Sequence, residues 1–257
     1  MPTDNKESTA GKPVVFVTAH PDDVAFYMGG TALLLKENYR LHVICATRGE
    51  RGYTWNGPGP MPPNEEIARV REAEEREACE MLGASITFLG IIDGEVYAER
   101  EVIEQVAKML LRIRPAALFT HGPQEKSDHA AVYQIALQAL YKANLISVSQ
   151  KRFALYKANL FWETEMYMPL QDGTTHNYRC ADIFVNISNV IAQKRKLVAC
   201  HRSHHKEPDS VEHIIAHDVI LGKLAICDYA EAYMTGLPLM AQRWNRKAGS
   251  ILMELTR

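Results

Sequence analysis

The sequence predicts an α/β fold of three layers, in which helices cover both faces of a mostly parallel sheet. Short, apolar, β-branched segments of the kind that form buried strands recur along the chain. Most are separated by longer segments of helical spacing, which is the order that right-handed β-α-β crossovers require. In such a sheet, ligands bind beyond the carboxyl ends of the strands.

The predicted elements follow one another in chain order. The first half predicts strands at Val14–Ala19, Leu41–Thr47, Ser85–Gly90 and Ala116–His121, and helices at Val24–Leu35, Asn64–Leu82, Glu99–Arg114 and Ala130–Lys142. The second half predicts strands at Phe153–Trp162 and Ile183–Ile187, a helix at Asn189–Cys200, a helix from Val211 to about Tyr229, and irregular structure after it.

Local signals support several of these elements. Asn64 stands at the expected N-cap of the second helix, acidic residues follow it, and Gly83 comes directly after the helix. Gly29 and Gly30 would permit close packing of the first helix on the sheet. Residues 48–63 are rich in Gly and Pro, which predicts a long loop of the kind that often carries function.

Composition excludes several classes of protein. The 257 residues carry a net charge of -2, and 29 Lys and Arg are scattered among 31 Asp and Glu, which argues against a nucleic-acid partner. Five cysteines without a C-x-x-C pair argue against a disulfide framework. Residues 1–13 predict a flexible tail without the apolar core of a signal peptide, and no stretch is long enough for a membrane span. We therefore expect a cytoplasmic protein with one domain at 14–257.

Two polar clusters follow predicted strands. The tetrapeptide HPDD at 20–23 comes directly after the first strand, and SDH at 127–129 follows the fourth. Polar groups in such turns must find partners, water or a metal. The sheet geometry brings the two loops together, and two histidines with one aspartate leave a position open, which suits catalytic zinc.

The residues alone leave two alternatives open. The aspartates could simply cap the following helix, where aspartate is common. If a metal is bound, the spacing does not decide which aspartate is the ligand and which accepts a proton from the bound water, whose pKa zinc lowers to about 7.

Eight motifs follow one another along the chain. They are AHPDD at 19–23, TRGE at 47–50, R-x-x-E at 71–74, LG-x-x-DG at 89–94, SDH at 127–129, FVNIS at 184–188, K-x-x-L-x-x-C-HRS at 194–203 and YAEAY at 229–233. Their order closely resembles that of the PIG-L/LmbE-like de-N-acetylases. This family removes acetyl groups from N-acetylglucosamine-type sugars with a divalent metal, usually zinc. The resemblance covers almost the whole chain and implies a Rossmann-like three-layer αβα sandwich that takes a small amino-sugar substrate.

The resemblance also implies roles for individual residues. His20, Asp23 and His129 would bind one Zn²⁺, and Asp22 would be the general base. Asp128 would orient a nearby histidine. The reaction implied is hydrolysis of an N-acetyl amide with release of acetate and a free amine.

Three further residues are candidates for substrate binding. Arg71 and Asp93 would grip sugar hydroxyls, and Arg48 in the long loop would contact an anionic part of the substrate. Each has a structural alternative. Arg71 could pair with acids on its own helix, Asp93 could belong to an Asp-Gly turn, and Arg48 could pair with charged neighbours in its loop.

The sequence departs from the family pattern at one position. The family usually has His-Pro-Asp-His at the second cluster, and its first histidine stabilises the oxyanion and protonates the leaving amine. Lys126 stands there in this chain, and as an acid it would need a pKa well below about 10. His121 or His201 could supply the imidazole instead, or the activity could be altered or lost. The other histidines at 204 and 205 are interpreted as a solvated helix end.

Two other functions remain as alternatives. The substitution at Lys126 favours a Rossmann-like protein that binds zinc or another ligand without catalysis. A nucleotide-binding domain is disfavoured because the first strand is not followed by G-x-G-x-x-G or a P-loop. A homo-oligomer is left open by the surface pattern.

Overall fold

The structure is a computed structural model that describes residues 11–52, 60–123, 125, 127–150, 164–169, 181, 183–204, 210–235 and 251–255. For residues 144–150, 253 and 254 it describes the backbone. Lys126 and the predicted strand Phe153–Trp162 lie outside the described residues, as do residues 1–10 of the predicted tail.

Seven strands and their flanking helices make up the described fold. The strands are β1 Lys12–Thr18, β2 Tyr39–Thr47, β3 Ser85–Ile91, β4 Ala117–Phe119, β5 Glu165–Pro169, β6 Ile183–Asn186 and β7 Ala230–Thr235. The α-helices are α1 Gly29–Leu35, α2 Asn64–Leu82, α3 Arg100–Ile113, α4 Ser127–Gln150, α5 Ile191–Val198, α6 Ser210–Leu224 and α7 Ile251–Leu255. None of the described helices combines the length and the apolar character that crossing a membrane requires.

The seven strands form one sheet in the order β3-β2-β1-β4-β5-β7-β6. The pairs from β3 through β5 are parallel, and β7 runs antiparallel to both of its neighbours. This confirms the predicted α/β fold with a mostly parallel sheet. Since β1 lies between β2 and β4, the chain reverses its winding direction there, which is where such sheets bind ligands.

Each face of the sheet carries its own apolar core. Along β1, Val14 and Phe16 pack with residues of α1, α2 and α5, whereas Val15 and Val17 pack with residues of α3 and α4. Successive side chains of a strand point to opposite faces, so a strand buried on both sides reads as a continuous apolar run. The three-layer arrangement follows from that pattern.

Several helix boundaries differ from the prediction, and three of these differences lie in the first four helices near the polar clusters. The predicted first helix divides into a π-helix at Val24–Met28 and α1. The N-cap of α2 is Pro63 rather than Asn64, while Gly83 ends the helix in the left-handed conformation as expected. Helix α4 begins at Ser127, so the SDH cluster forms its first turn instead of a preceding loop.

The prediction of irregular structure after Tyr229 is wrong, because β7 occupies Ala230–Thr235. Glu231, the second residue of this strand, is 1% exposed. A carboxylate at a buried position breaks the alternation of apolar and polar residues by which strands are detected. The strand is stabilised by partners that are distant in sequence.

Those partners form a buried charge cluster of Lys194, Asp218 and Glu231. The Lys194 ammonium donates to Asp218 Oδ1 at 2.8 Å and to Glu231 Oε1 at 2.8 Å. Glu231 also accepts the backbone N–H groups of Gly30 at 2.7 Å and Thr31 at 2.8 Å. These N–H groups belong to the first turn of α1, where a carboxylate is favoured. The cluster therefore ties α5, α6 and β7 to the helix that follows the HPDD turn.

Replacing Lys194 with methionine should lower the free energy of unfolding by about 3–5 kcal/mol, because two buried carboxylates would lose their cation. Chemical denaturation followed by circular dichroism measures this change. Arg195→Met is the matched control, since Arg195 pairs with Glu212 at the surface and such pairs contribute about 1 kcal/mol or less. Equal destabilisation by the two substitutions would contradict the proposed importance of the cluster.

Candidate metal centre and active site

The two polar clusters meet beyond the carboxyl ends of β1 and β4. His20 Nδ1 lies 3.2 Å from His129 Nε2. Asp23 Oδ1 lies 3.4 Å from the same nitrogen of His129. One ligand atom from each of the three residues falls within 4.8 Å of the others. The structure therefore brings together the three residues that the sequence analysis expected to bind a metal.

These distances fit a tetrahedral divalent cation. Zinc bonds of about 2.0–2.1 Å at tetrahedral angles place neighbouring ligand atoms about 3.3 Å apart. The measured separations of 3.2 and 3.4 Å are close to that value. The other oxygen of Asp23 accepts the backbone N–H groups of Ala19 at 3.0 Å and His20 at 2.8 Å, which fixes the carboxylate in place.

The electrostatics of the cluster also favour a cation. Burial lowers the pKa of His20, but hydrogen bonds to Asp128 and Asp93 outweigh this effect and raise the pKa to about 10. Burial also lowers the pKa of His129, but the charge and hydrogen bond of Asp23, together with Glu125, outweigh this effect and raise the pKa to about 10. The pKa of Asp23 is held well below its ordinary value, as burial is outweighed by His129 and His121. The surrounding carboxylates thus stabilise positive charge where the two imidazoles meet.

The second nitrogen of His20 is held by two carboxylates. Its Nε2 lies 3.2 Å from Asp93 Oδ1 and 3.4 Å from Asp128 Oδ2. Asp128 in turn accepts the backbone N–H of Gly94 at 2.6 Å and that of Val96 at 3.4 Å. A carboxylate on the far nitrogen of a metal-binding histidine orients the ring. Asp128 therefore contacts the imidazole in the manner expected of an orienting residue, and Asp93 shares that contact.

Asp22 is buried and conformationally unusual. Its φ of 105° lies in a region that residues other than glycine rarely adopt, and such strain concentrates at functional sites. Its backbone N–H donates to Glu75 Oε2 at 3.1 Å, and its Oδ2 accepts a hydrogen bond from Arg71 at 2.7 Å. Burial raises the pKa of Asp22 to about 7 despite the opposing charge of Arg71. A carboxylate with such a pKa is suited to accept a proton near neutral pH.

Arg71 positions this carboxylate. Its guanidinium also donates to the carbonyl of Pro21 at 2.8 Å, and it does not pair with acids of its own helix in the described hydrogen bonds. Backbone at Gly49 and Gly52 packs directly on the guanidinium, where a Cβ at either glycine would overlap it. Arg71 borders the cavity, so the sequence-based role in gripping a sugar stays a prediction beside this observed contact with Asp22.

The loop that contains Arg48 also contains Arg51, and Arg51 is the one of these two arginines that lies at the cavity. Arg48 pairs with Glu65 at 3.1 Å and Glu72 at 2.8 Å on α2, and it is not among the described lining residues. Arg51 does line the cavity, and its guanidinium pairs with Glu95. The substrate role predicted for Arg48 therefore receives no support from its surroundings.

The site opens into a cavity of about 340 Å³. This volume lies at the lower end of the range for small-molecule sites. The described residues that line it are His20, Asp22, Asp23, Phe26, Tyr27, Arg51, Gly52, Arg71, Asp93, His129, His204 and Ile214.

The two histidines suggested as replacements for the family's usual imidazole are both buried away from this cavity. His121 is 0% exposed, and its Nε2 lies 3.2 Å from Asp23 Oδ2 while its ring stacks on His129 at 4.0 Å between centroids. His201 is 2% exposed, with its Nε2 3.6 Å from Glu75 Oε2. Neither is among the described lining residues. They contact other site residues instead of the space that a substrate would fill.

His204 is the lining histidine that the sequence analysis missed. It was interpreted as part of a solvated helix end, yet its Nδ1 lies 3.3 Å from Asp22 Oδ2. Helical spacing could not have identified it, because it lies in a turn beyond α5. The adjacent HRS motif was the available signal, since a motif shared with a catalytic family can place its loop over the site.

The buried carboxyl group of Glu75 should make the stability of the fold depend on pH. It is 2% exposed, and burial, reinforced by the charges of Asp22 and Asp23, raises its pKa from 4.5 to about 8. A raised pKa means that the folded protein binds the proton more tightly than the unfolded chain, so this stabilisation is present at low pH and is lost as the pH rises through about 8. Measured after chelation of metal, the wild type should lose stability relative to Glu75→Gln between about pH 5 and pH 8.

Thermal unfolding at a series of pH values tests this expectation. Glu77→Gln is the control, because Glu77 lies exposed on the same helix and Arg202 lowers its pKa, so its effect should be constant across that range. A difference between wild type and Glu75→Gln that is also constant from pH 5 to pH 8 would refute the raised pKa.

Fold and site together define a Rossmann-like α/β protein with a candidate metal-dependent active site at the switch point of its sheet. Residues 15–140 match the family model of PIG-L, described as GlcNAc-PI de-N-acetylase. This match, which covers about half of the chain, confirms the resemblance to the PIG-L (LmbE-like) family that was inferred from the motifs. The matched segment includes the HPDD and SDH clusters but ends before His201.

Two curated relatives of similar sequence are named for different activities. The 4-oxalmesaconate hydratase of Pseudomonas putida is 30% identical over 141 residues, which are 51% of this chain and 53% of that protein. The probable N-acetyl-alpha-D-glucosaminyl L-malate deacetylase 2 of Bacillus cereus is 28% identical over 133 residues, which are 49% of this chain and 60% of that protein. The matches thus span little more than half the length of these relatives.

A solved structure extends the similarity in fold to most of the chain. The N,N'-diacetylchitobiose deacetylase of Pyrococcus horikoshii superimposes with a TM-score of 0.73 at 24% identity. The superposition covers 89% of this chain and 85% of that one. It supports the assignment of the fold.

Proposed function

We propose that the protein is a zinc-dependent hydrolase that removes the acetyl group from an N-acetylglucosamine-type conjugate. The observation that carries this proposal is the presence of a buried carboxylate, Asp22, in the same cavity as the His20, Asp23 and His129 cluster. The match to the PIG-L family supports amide hydrolysis, and the B. cereus relative is named for an N-acetylglucosaminyl substrate.

In this proposal, His20, Asp23 and His129 would hold the cation, which would supply Lewis-acid polarisation of the acyl carbonyl. Asp22 takes the proton of the attacking water as general base. Arg71 keeps the Asp22 carboxylate in place through its 2.7 Å hydrogen bond. Asp93 and Asp128 hold His20 from its far nitrogen, so its ring keeps one orientation.

A second candidate function is hydration of a carbon–carbon double bond in an unsaturated carboxylic acid. The P. putida relative, which is 30% identical to this chain over 141 residues, is named as a hydratase and supports this alternative. Hydration also needs an activated water and a base, so the same cluster would serve it. Arg51 and Arg71 on the cavity wall would attract a substrate carboxylate. The departure from the family at Lys126 is compatible with either reaction.

We expect the purified protein to contain about one zinc per chain and to release acetate from N-acetylglucosaminyl substrates. Asp22→Asn should retain the zinc and lose about 10²-fold to 10⁴-fold in kcat, because the proton acceptor is removed. Asp228→Asn is the control, since Asp228 is exposed on the surface. Metal analysis by mass spectrometry and an enzyme-coupled acetate assay measure both quantities.

The same preparation should be assayed for hydration by the loss of ultraviolet absorbance of a conjugated unsaturated dicarboxylate. Hydration without acetate release would replace the first proposal with the second. Zinc binding with neither reaction across both substrate panels would favour a ligand-binding protein without catalysis.

Asp128→Asn should weaken zinc binding by about 10-fold to 100-fold, because His20 would lose a charged acceptor for its far nitrogen. Competition with a chromogenic chelator measures the dissociation constant. Asp228→Asn again serves as the control. Unchanged affinity in Asp128→Asn would show that Asp93 alone is sufficient to hold His20.

A further inference from the structure

We propose that His204 supplies the proton to the leaving amine nitrogen, in place of the histidine that this chain lacks at Lys126. This inference rests on the proposed amide hydrolysis and adds a proton donor to it. It comes from a residue beyond the segment that matches the family, which ends at residue 140.

The position of His204 on the cavity wall is the first observation that supports this role. His204 Nδ1 lies 3.3 Å from Asp22 Oδ2, on the wall of the cavity that also contains the metal cluster. The side chain is 46% exposed, so its ring is accessible to a substrate. In the described part of the chain, Asp22 Oδ2 contacts Arg71 and His204, and of these two side chains the imidazole is the one that can both give and take a proton.

The second support is that the turn carrying His204 is anchored. The backbone N–H of Ser203 donates to Glu74 at 2.9 Å, and its hydroxyl donates to the same carboxylate at 2.5 Å. The backbone N–H of His204 donates to the carbonyl of His201 at 3.1 Å. The ring of Phe26 meets the His204 imidazole edge-on at 5.3 Å between centroids. Such contacts hold the imidazole toward the cavity, whereas a solvated helix end would be free of them.

The third support is comparison with the other candidates in the described part of the chain. His121 and His201 are buried behind the metal cluster and α2, and they are absent from the cavity wall. His20 and His129 face each other as candidate ligands. Among the described histidines that line the cavity, His204 is the one left for proton transfer.

The chemistry balances without another reactant. The water oxygen bonds to the acyl carbon while Asp22 takes one water proton. The carbon–nitrogen bond then breaks, and the amine nitrogen takes a proton from the far nitrogen of His204. The proton on Asp22 passes to His204 across the 3.3 Å contact. The products are acetate, a free amine and Asp22 as its carboxylate, once the proton of acetic acid is released to solvent. His204 ends with its proton on Nδ1 instead of Nε2, and proton exchange with solvent at the exposed ring restores the starting tautomer.

The test compares two substrates that differ in their need for a proton. N-acetylglucosamine releases an amine that must be protonated, whereas 4-nitrophenyl acetate releases a stable phenolate. His204→Gln should lower kcat for the amide by about 10²-fold to 10⁴-fold with KM within about threefold of the wild type, and leave the ester rate nearly unchanged. Added imidazole should restore part of the amide activity of His204→Ala, because the site is open to solvent.

His213→Gln is the matched control, since His213 is exposed on α6, and it should behave as the wild type. Zinc content and thermal unfolding should be the same in all variants. Where the ester is not turned over, rescue by imidazole decides the result.

Equal loss on amide and ester without rescue would show a structural role and overturn the proposal, as would amide activity of His204→Gln within threefold of the wild type. An amide-specific loss in Lys126→Gln with none in His204→Gln would assign the role to Lys126. A wild type that releases no acetate would refute the proposed function, and this role of His204 with it. An active wild type with an unaffected His204→Gln would refute the role of His204 alone.

Discussion

The parallel pairing of β1 with β4 is the constraint on which the candidate site depends. Val14 pairs with Ala117 and Phe16 with Phe119, so the two strands end at the same edge of the sheet. Neighbouring strands lie about 4.8 Å apart, which leaves the residues that follow them within reach of one another. His20 and His129 are 109 positions apart in sequence and yet 3.2 Å apart in space. A different strand order would separate them, whatever their chemistry.

The site brings three buried carboxyl groups close together. Asp22, Asp23 and Glu75 are each at most 5% exposed. Burial alone raises the pKa of each carboxyl, and the outcome then depends on its nearest cation. Asp23 contacts His129 and His121 and stays ionised, whereas Asp22 and Glu75 have raised pKa values near 7 and 8. Three similar groups thereby acquire different proton affinities, which suits Asp23 to bind a cation and Asp22 to accept a proton.

Much of the fold and of the central cluster could be predicted from sequence, because these features are local. Buried parallel strands are continuous apolar runs, α2 carries its start and stop signals, and the HPDD and SDH clusters directly follow or adjoin strand ends. Long-range features were missed. The strand β7 was not recognised because it contains Glu231, a buried carboxylate whose partners lie in other elements. Arg71 was expected either to contact a sugar or to pair on its own helix, and its hydrogen bond to Asp22, 49 positions away, was not foreseen. His204 lay in a turn to which no periodicity applies.

The residues that line the cavity come from two separate segments of the chain. The candidate ligands, Asp22 and Arg71 lie within residues 15–140, while His204 and Ile214 come from a later stretch that packs over them. The charge cluster around Lys194 fastens that stretch to the first turn of α1, so it is held independently of the ligands. Exchanging the stretch between similar proteins would therefore change the cavity wall around His204 and Ile214 and leave the candidate ligands, Asp22 and Arg71 in place. In a fold divided in this way, the shape of the cavity can change through one segment of the chain while the candidate metal ligands keep their positions.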